Sequence, residues 1–350
     1  MNSGENLIFL ISQPRAGSTL LQKILGGHSN IHTISEPWIA LHPLVALRRT
    51  GVSAYHSHLL AREATLNFLS YVPGGEDTYF EGVRQMLNHL YTAVLGPSGK
   101  TVFLDKTPRY YFIVPELRRV FPRARFVFLI RNPLATFASI LESWVQNPLF
   151  ASLYAFRTDF LHDVITAPEI LASVMESPSG DDTFVRYEDL VHAPAAQIER
   201  LCKQLGVPYQ SDMIEYGTGN LPHWTFGDQT TVYSERRPIA ERAERWRWTL
   251  RPDTPWNGLA CSYLGAIGRV TVERLGYDYD SISAALAASR FGIKGPPPFL
   301  QNSVMTAAYG ESCDYLSQSA YFQRTLDRLA AAPPPLNYSA EEQEAARAHF

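Results

Sequence analysis

Short, continuously apolar runs recur along the chain, and each is followed by a helical pattern. The first covers residues 7–11, ends at a turn over residues 14–17, and leads into a helix predicted over residues 18–25. Similar runs predict strands over residues 101–105, 125–130 and 183–186. Runs that are apolar throughout are typical of strands buried on both faces. Alternation of strands and helices predicts an α/β fold with a central parallel sheet flanked by helices.

Two regions depart from this alternation. Residues 40–95 have a mostly helical pattern with many aromatic residues, which predicts a helical insertion. Such an insertion either covers a functional site or enlarges the core. Proline triplets at residues 296–298 and 333–335 bracket a weakly periodic segment. We therefore predict one domain over residues 1–289 and a C-terminal appendage over residues 290–350, whose role the sequence leaves open.

Composition narrows the classes of partner. The formal net charge of the 350 residues is −3, which gives no argument for a nucleic acid or an anionic membrane. The three cysteines, Cys202, Cys261 and Cys313, are widely spaced and predict neither a disulfide framework nor a metal site. The sequence lacks an apolar stretch of about 18 residues that would suit a membrane span. These features predict a cytoplasmic protein.

The turn after the first strand is the strongest candidate for an anion site. A helix that begins directly after a buried strand directs its free N–H groups and the positive end of its dipole at one point. Gly17 allows close approach of the backbone, and neighbouring side chains add donors. The alternative is a plain turn with Ser18 as the helix cap. We predict a phosphate or sulfonate site formed by Arg15, Ala16, Gly17, Ser18 and Thr19.

This turn differs from the loop of ATP-binding proteins. A Walker loop has the pattern G-x-x-x-x-G-K-[ST], in which the lysine reaches the β- and γ-phosphates. The chain has no such pattern, and no lysine precedes Ser18 in the turn. The sequence therefore argues against a kinase or an NTPase.

A second candidate anion site follows the strand predicted over residues 125–130. Arg131 ends that strand, and Ser139 lies eight residues further on, in the following helix. An arginine fork can bind a phosphate through two hydrogen bonds, and a serine two helical turns later lies on the same face. Taken singly, Arg131 could form a surface salt bridge and Ser139 a helix contact. Two such motifs in order, each after a buried strand, make a stronger signal.

Together the two motifs resemble those of the sulfotransferases that use PAPS (3′-phosphoadenosine 5′-phosphosulfate), over roughly residues 7–280. The resemblance implies the sulfotransferase fold, which is related to that of P-loop NTPases. It implies that residues 15–19 bind the 5′-phosphosulfate, and that Arg131 and Ser139 bind the 3′-phosphate. PAPS would be the donor, PAP (adenosine 3′,5′-bisphosphate) the product, and no metal would be needed.

The resemblance also suggests catalytic residues. Lys106, directly after the second buried strand, resembles the family lysine that contacts the transferring sulfonate, where it would offset charge on the leaving nucleotide. Small-molecule members have a histidine where this chain has Pro108, so that base is missing. Glu36 lies 21 residues after Arg15, a spacing similar to that of the glutamate base of tyrosylprotein sulfotransferases. Its alternative role is an acid at a helix start. The rival bases are His28, His32 and His223.

Residues 227–237 fall where the family has a loop over the nucleotide. Four residues there could contact its adenine or 3′-phosphate: Tyr233, Ser234, Arg236 and Arg237. A solvated basic turn is the alternative. Residues 187–190, Tyr-Glu-Asp-Leu, also recur in the family, where we expect them to cap the following helix.

The acceptor is less constrained than the donor. A hydroxyl on a small molecule, or on a β-hydroxyacyl chain held by a carrier protein, is the natural candidate, since residues 34–44 resemble the sulfotransferases of polyketide assembly lines. The aromatic residues of 40–95 could line an apolar acceptor tunnel. Two other functional classes stay open: a P-loop kinase-like phosphotransferase and an inactive nucleotide-binding module.

Overall fold

The computed structural model describes residues 3–49, 51–52, 54, 56–145, 162–180, 182–218, 224, 226–228, 234–252 and 254–288. The predicted appendage over residues 290–350 lies outside the described residues, as do Tyr233 and His223.

A five-stranded parallel sheet forms the centre of the protein, with the strand order β2-β3-β1-β4-β5. The strands are β1 Leu7–Ser12, β2 Ile31–Thr33, β3 Val102–Lys106, β4 Arg125–Ile130 and β5 Asp182–Arg186. The α/β prediction is confirmed. The four strands predicted from apolar runs match β1, β3, β4 and β5 to within one residue at each end.

Helices connect the strands and cover the sheet. The α-helices are α1 Ser18–Gly26, α2 Leu41–Val45, α3 His58–Leu69, α4 Glu76–Leu95, α5 Val114–Val120, α6 Pro133–Ile140, α7 Ala167–Glu176, α8 Tyr187–His192, α9 Pro194–Gln204, α10 Trp246–Thr249, α11 Pro255–Arg274 and α12 Tyr279–Ala288. Helix α11 is kinked at Gly268. Shorter 3₁₀ segments include Pro108–Ile113, and π-helical turns cover Leu141–Val145 and His162–Thr166.

The sheet separates two hydrophobic cores. Along β1, Phe9 and Ile11 contribute to the larger core and Ile8 and Leu10 to the smaller one. This is the alternation expected of successive residues in a strand. Because both faces are covered, the strands are apolar at nearly every position, which explains the runs seen in the sequence.

The predicted insertion over residues 40–95 contains α2, α3 and α4. Helix α4 turns Phe80, Val83, Leu87 and Tyr91 inward, at the three- and four-residue spacing of one helical face, and all four join the larger core. Much of the insertion therefore adds to the core.

The carboxyl ends of β1, β3 and β4 lie side by side at one edge of the sheet, since Leu10 pairs with Lys106 and Ser12 with Leu129. In open parallel sheets this edge is where ligands bind. Lys106 is the last residue of β3 at this edge, and the loops that leave β1 and β4 hold Arg15 and Arg131. In the described part of the chain, no helix combines the length and the apolar character needed to cross a bilayer.

Candidate active site

The turn after β1 has an unusual backbone. Arg15 has φ 67° and Gly17 has φ 101°, both in the left-handed region, which glycine tolerates best. Helix α1 begins at Ser18, so Gly17 is the cap residue, and it provides no side-chain acceptor. The alternative in which Ser18 caps the helix is therefore wrong. The first N–H groups of α1 lack a side-chain cap, which suits an anion site.

Gly17 is also fixed by its surroundings. A Cβ added there would come within 2.4 Å of the Tyr187 ring. The same ring lies under the Arg131 guanidinium, 4.1 Å from ring centroid to Cζ. Tyr187 thus supports both predicted anion sites, a role that the sequence did not reveal. The expected cap over residues 187–190 is wrong, because these residues form helix α8, and the cap positions of α8 and α9 carry no side-chain hydrogen bond.

Arg15 joins the two predicted anion sites. Its carbonyl accepts a hydrogen bond from Arg131 Nη1 at 3.1 Å, and its Nε donates to Ser139 Oγ at 3.4 Å. Arg131 also donates through Nη2 to the carbonyl of Arg242 at 3.2 Å. Burial lowers the pKa of Arg131, which nevertheless stays far above neutrality as for any arginine. The residues predicted from two separate motifs therefore form one continuous cationic cluster.

Lys106 and Glu36 form an ion pair at the end of β3. The Lys106 side chain is fully buried and the Glu36 side chain is 10% exposed. Lys106 Nζ also donates to Thr19 Oγ1 at 3.4 Å, which brings the lysine to the start of α1. Burial lowers the pKa of Lys106, while the charge of Glu36 opposes that shift. The two predicted catalytic residues thus meet beside the predicted phosphosulfate loop.

Asp228 lies beside that loop and belongs to the segment predicted to cover the nucleotide, but no role was predicted for its carboxylate. Its Oδ2 lies 3.4 Å from Arg15 Nη2, and its backbone N–H donates to Thr19 Oγ1 at 3.1 Å. A Cβ added to Gly227 would lie 2.9 Å from Thr19 Oγ1 and 3.3 Å from Lys106 Nζ. A segment 200 residues away in sequence therefore covers the loop and places a carboxylate against its arginine.

The structure gives less support to the other residues predicted to contact the nucleotide. The side chains of Ser234, Arg236 and Arg237 are exposed. The backbone carbonyls of Arg236 and Arg237 accept hydrogen bonds from Gly217 N at 3.0 Å and Tyr216 Oη at 3.2 Å. Within the described residues, no contact joins either arginine side chain to Arg131. Their role in nucleotide binding stays a prediction.

Two of the rival bases, His28 and His32, lie elsewhere, and the third, His223, is outside the described residues. His28 is fully buried, donates from Nε2 to the Pro208 carbonyl at 2.8 Å, and accepts the Asn30 N–H at Nδ1. Both ring nitrogens are therefore engaged. His32 lies on the edge strand β2 against Phe103, and burial lowers its pKa.

A second cluster borders Glu36. Trp38 donates from Nε1 to Glu36 Oε2 at 3.1 Å, and its ring lies 5.4 Å from the Arg109 guanidinium. Arg109 also faces Trp144 at 5.9 Å and forms a two-pronged ion pair with buried Asp163, at 3.0 and 2.6 Å. This aromatic and cationic surface touches the predicted base. Among the residues that the structure describes, no group of three or more His, Cys, Asp or Glu side chains could hold a metal ion.

Comparison with known proteins decides the family. The profile of the sulfotransferase family matches residues 7–211, more than half of the chain. The chain belongs to the sulfotransferase family. The chain is 28% identical to the nodulation protein NoeE of Sinorhizobium fredii (strain NBRC 101917 / NGR234) over 263 residues, 70% of the chain and 60% of that relative.

A second relative is the omega-hydroxy-beta-dihydromenaquinone-9 sulfotransferase Stf3 of Mycobacterium bovis (strain ATCC BAA-935 / AF2122/97). The two are 29% identical over 157 residues, 42% of the chain and 39% of Stf3. The chain thus spans less than two thirds of either relative. Among solved structures, the sulfotransferase domain from the curacin biosynthetic pathway has a TM-score of 0.48 and 19% identity, over 70% of this chain and 91% of that one.

Proposed function

We propose that this protein transfers a sulfuryl group from PAPS to a hydroxyl acceptor. The observation that carries the proposal is the position of the Lys106–Glu36 pair, beside Thr19 at the start of α1. A cation that can bind the transferring group, a carboxylate that can take a proton, and a helix N-terminus that can bind an anion meet at one edge of the sheet.

The residues fit an adenosine bisphosphate. Arg131 Nε is buried and has no hydrogen-bond partner among the described residues, so a donor is available for a phosphate oxygen. The uncapped start of α1 leaves backbone donors for a second anionic group. We assign Arg15, Ala16, Gly17, Ser18 and Thr19 to the 5′-phosphosulfate.

Arg131 and Ser139 are assigned to the 3′-phosphate. Tyr233, Ser234, Arg236 and Arg237 are assigned to the outer part of the nucleotide. When bound, PAPS supplies the sulfuryl group, and PAP is left after transfer.

The other roles in the transfer are assigned to side chains of this protein. Lys106 offsets negative charge where the donor's bridging oxygen lies, and its burial strengthens that interaction. Glu36 accepts the proton of the attacking hydroxyl, and its ion pair with Lys106 holds its carboxylate beside the start of α1. Trp38 holds the second oxygen of Glu36 and so fixes the direction of its carboxylate.

The acceptor is proposed to carry an aliphatic hydroxyl, either in a small molecule or on a carrier-bound β-hydroxyacyl chain. The name of the relative Stf3 includes an omega-hydroxyl group, which supports a hydroxyl acceptor. Trp38 and the apolar part of Arg109 offer a surface beside Glu36 for the acceptor's carbon skeleton. The cytoplasmic location stays a prediction.

Labelled PAPS tests the proposal. The protein is incubated with PAPS labelled in its sulfur and with a panel of hydroxyl acceptors, including β-hydroxyacyl carrier proteins. We expect label in at least one acceptor, and Glu36→Gln should lower kcat by about 100-fold while the KM for PAPS changes little. Asp280→Asn is the control, because Asp280 pairs with Arg269 on exposed helices. Label in no acceptor, or an unchanged kcat for Glu36→Gln, would contradict the proposal.

Thermal stability separates the donor classes. PAP should raise the melting temperature, and ATP with Mg²⁺ should leave it unchanged. Stabilisation by ATP and Mg²⁺ alone would favour the kinase-like alternative. Stabilisation by PAP with no transfer to any acceptor would favour the inactive nucleotide-binding module.

A further inference from the structure

A buried carboxylate lies directly before Lys106 on β3. Asp105 is fully buried and accepts three hydroxyl hydrogen bonds. Tyr91 Oη donates to Oδ2 at 2.6 Å, Tyr110 Oη donates to Oδ2 at 3.2 Å, and Thr107 Oγ1 donates to Oδ1 at 2.9 Å. None of these contacts involves the groups assigned to sulfuryl transfer, so Asp105 has a separate role.

Two of the three hydroxyls hold the segment that carries Glu36. The backbone N–H of Trp38 donates to Thr107 Oγ1 at 3.5 Å, and that of Ala40 donates to Tyr110 Oη at 3.2 Å. A hydroxyl has one proton to donate and lone pairs to accept with. Because Asp105 takes the proton of each hydroxyl, the oxygen of each presents a lone pair to the backbone N–H.

The segment over residues 36–40, which we name the Glu36 segment, needs such anchoring. Trp38 has φ 58°, a left-handed conformation that a bulky residue rarely adopts unless its surroundings impose it. Its N–H is held by Thr107, and its indole holds Glu36. The position of the Glu36 carboxylate therefore depends on a chain of contacts that begins at Asp105.

We infer that Asp105 is a positioning residue which, through Thr107 and Tyr110, holds the Glu36 segment so that Glu36 meets Lys106. Asp105 and Lys106 are consecutive in β3, so one strand fixes the lysine directly and the glutamate through two hydroxyls. The inference rests on the proposed function only in taking Glu36 as the base. The anchor itself is a structural claim that can be tested without activity.

The alternative is that Asp105 only accepts hydrogen bonds from hydroxyls in the core and has no part in placing Glu36. A substitution of Tyr91 distinguishes these two roles. Tyr91 makes the shortest of the three bonds to Asp105, and it has no described contact with the Glu36 segment. Tyr91→Phe therefore removes a hydrogen bond from the same carboxylate and keeps the hydroxyls of Thr107 and Tyr110 in the protein. Thr107→Val removes one anchor with little change of shape, and Thr107→Ser keeps the hydroxyl.

Kinetics form the first arm of the test. Thr107→Val should lower kcat by roughly 10- to 100-fold with the KM for PAPS within about two-fold, because it displaces Glu36 and leaves the nucleotide loop in place. Thr107→Ser should recover kcat to within about three-fold of wild type, and Tyr91→Phe should keep it there even where it lowers the melting temperature. Equal losses of kcat in Thr107→Val and Tyr91→Phe would overturn the inference.

Hydrogen–deuterium exchange forms the second arm, and it needs no acceptor. Thr107→Val should accelerate exchange in the peptide that contains the Trp38 and Ala40 amides, while Tyr91→Phe should leave that peptide as in wild type. Unaltered exchange in Thr107→Val would refute the anchor, whatever the activity. If wild type transfers label to no acceptor, the proposed function fails, and the exchange result still decides whether the Thr107 hydroxyl, which is bonded to Asp105, anchors the Glu36 segment.

Discussion

Glu36 and Asp105 are two carboxylates on either side of one lysine, and their surroundings differ. Glu36 is partly exposed and pairs with Lys106. Asp105 is sealed in the larger core, where Tyr91 and Tyr110 donate to it. Successive residues of a strand face opposite sides, so β3 turns Lys106 towards Thr19 and α1 and Asp105 away from them.

The difference shows how one charge type serves two purposes. A carboxylate meant for proton transfer needs access to a substrate. A carboxylate meant for positioning needs fixed donors and no water. Burial raises the pKa of Asp105 to about 6, although its three hydroxyl bonds oppose that shift and the nearby charge of Glu36 adds to it. Each role has a measurable signature.

Among the substitutions that test this comparison, removal of the Lys106 charge should have the largest effect on kcat. Lys106→Met keeps the length of the side chain and removes its charge, so we expect kcat to fall by about 1000-fold or more. The variant also leaves Glu36 without its cation. Kinetics with labelled PAPS at saturating acceptor measure the loss. A fall of less than ten-fold would mean that the lysine only supports Glu36 and does not act on the donor.

Ionisation of Asp105 should make the free energy of unfolding depend on pH. Its raised pKa means that the folded state binds a proton more tightly than the unfolded state. Its ionisation therefore costs stability as the pH rises from about 4 to about 6, by about 3 kcal/mol for a shift of about 2 pKa units. The groups that face it are Tyr91, Tyr110, Glu36 and Lys106.

Asp105→Asn cannot ionise at this position. We expect the free energy of unfolding of wild type to fall relative to that of the variant over this pH range. Urea unfolding of both proteins at several pH values gives the difference, and parallel pH profiles would contradict the assignment.

The smallest effect concerns a third carboxylate, Asp228. Its contact with Arg15 is partly exposed, with side-chain exposures of 20% for Arg15 and 17% for Asp228, so the pair should contribute about 1 kcal/mol or less. An anionic nucleotide would compete with Asp228 for the arginine. We therefore expect Asp228→Asn to bind PAP roughly three- to five-fold more tightly, measured by calorimetry. Weaker binding would instead make Asp228 part of the nucleotide site.

The sequence predicted those parts of the site that depend on neighbours along the chain. Strands β1, β3 and β4 were visible because both their faces are buried, and Arg15, Lys106 and Arg131 lie at or shortly after their carboxyl ends. The short edge strand β2 was not among the four strands predicted from apolar runs. The helix predicted over residues 18–25, directly after the first strand and its turn, matches α1.

Contacts between distant segments could not be predicted in the same way. Asp228 meets Arg15 across 213 positions, and Tyr187 lies under Arg131 because β5 pairs with β4. Asp105 looked like one more strand residue, and only the packing of α4 and of residues 107–110 against β3 makes it a centre of hydrogen bonds. Periodicity gives the elements, but not which side chains those elements bring together.

The contact between Gly17 and Tyr187 restricts how this protein can be redesigned. An alanine at position 17 would collide with the ring, and a smaller residue at position 187 would remove the platform under Arg131. Neither position can be exchanged without the other, although 170 residues separate them in the sequence. A loop grafted from another enzyme would have to be transplanted with its aromatic partner.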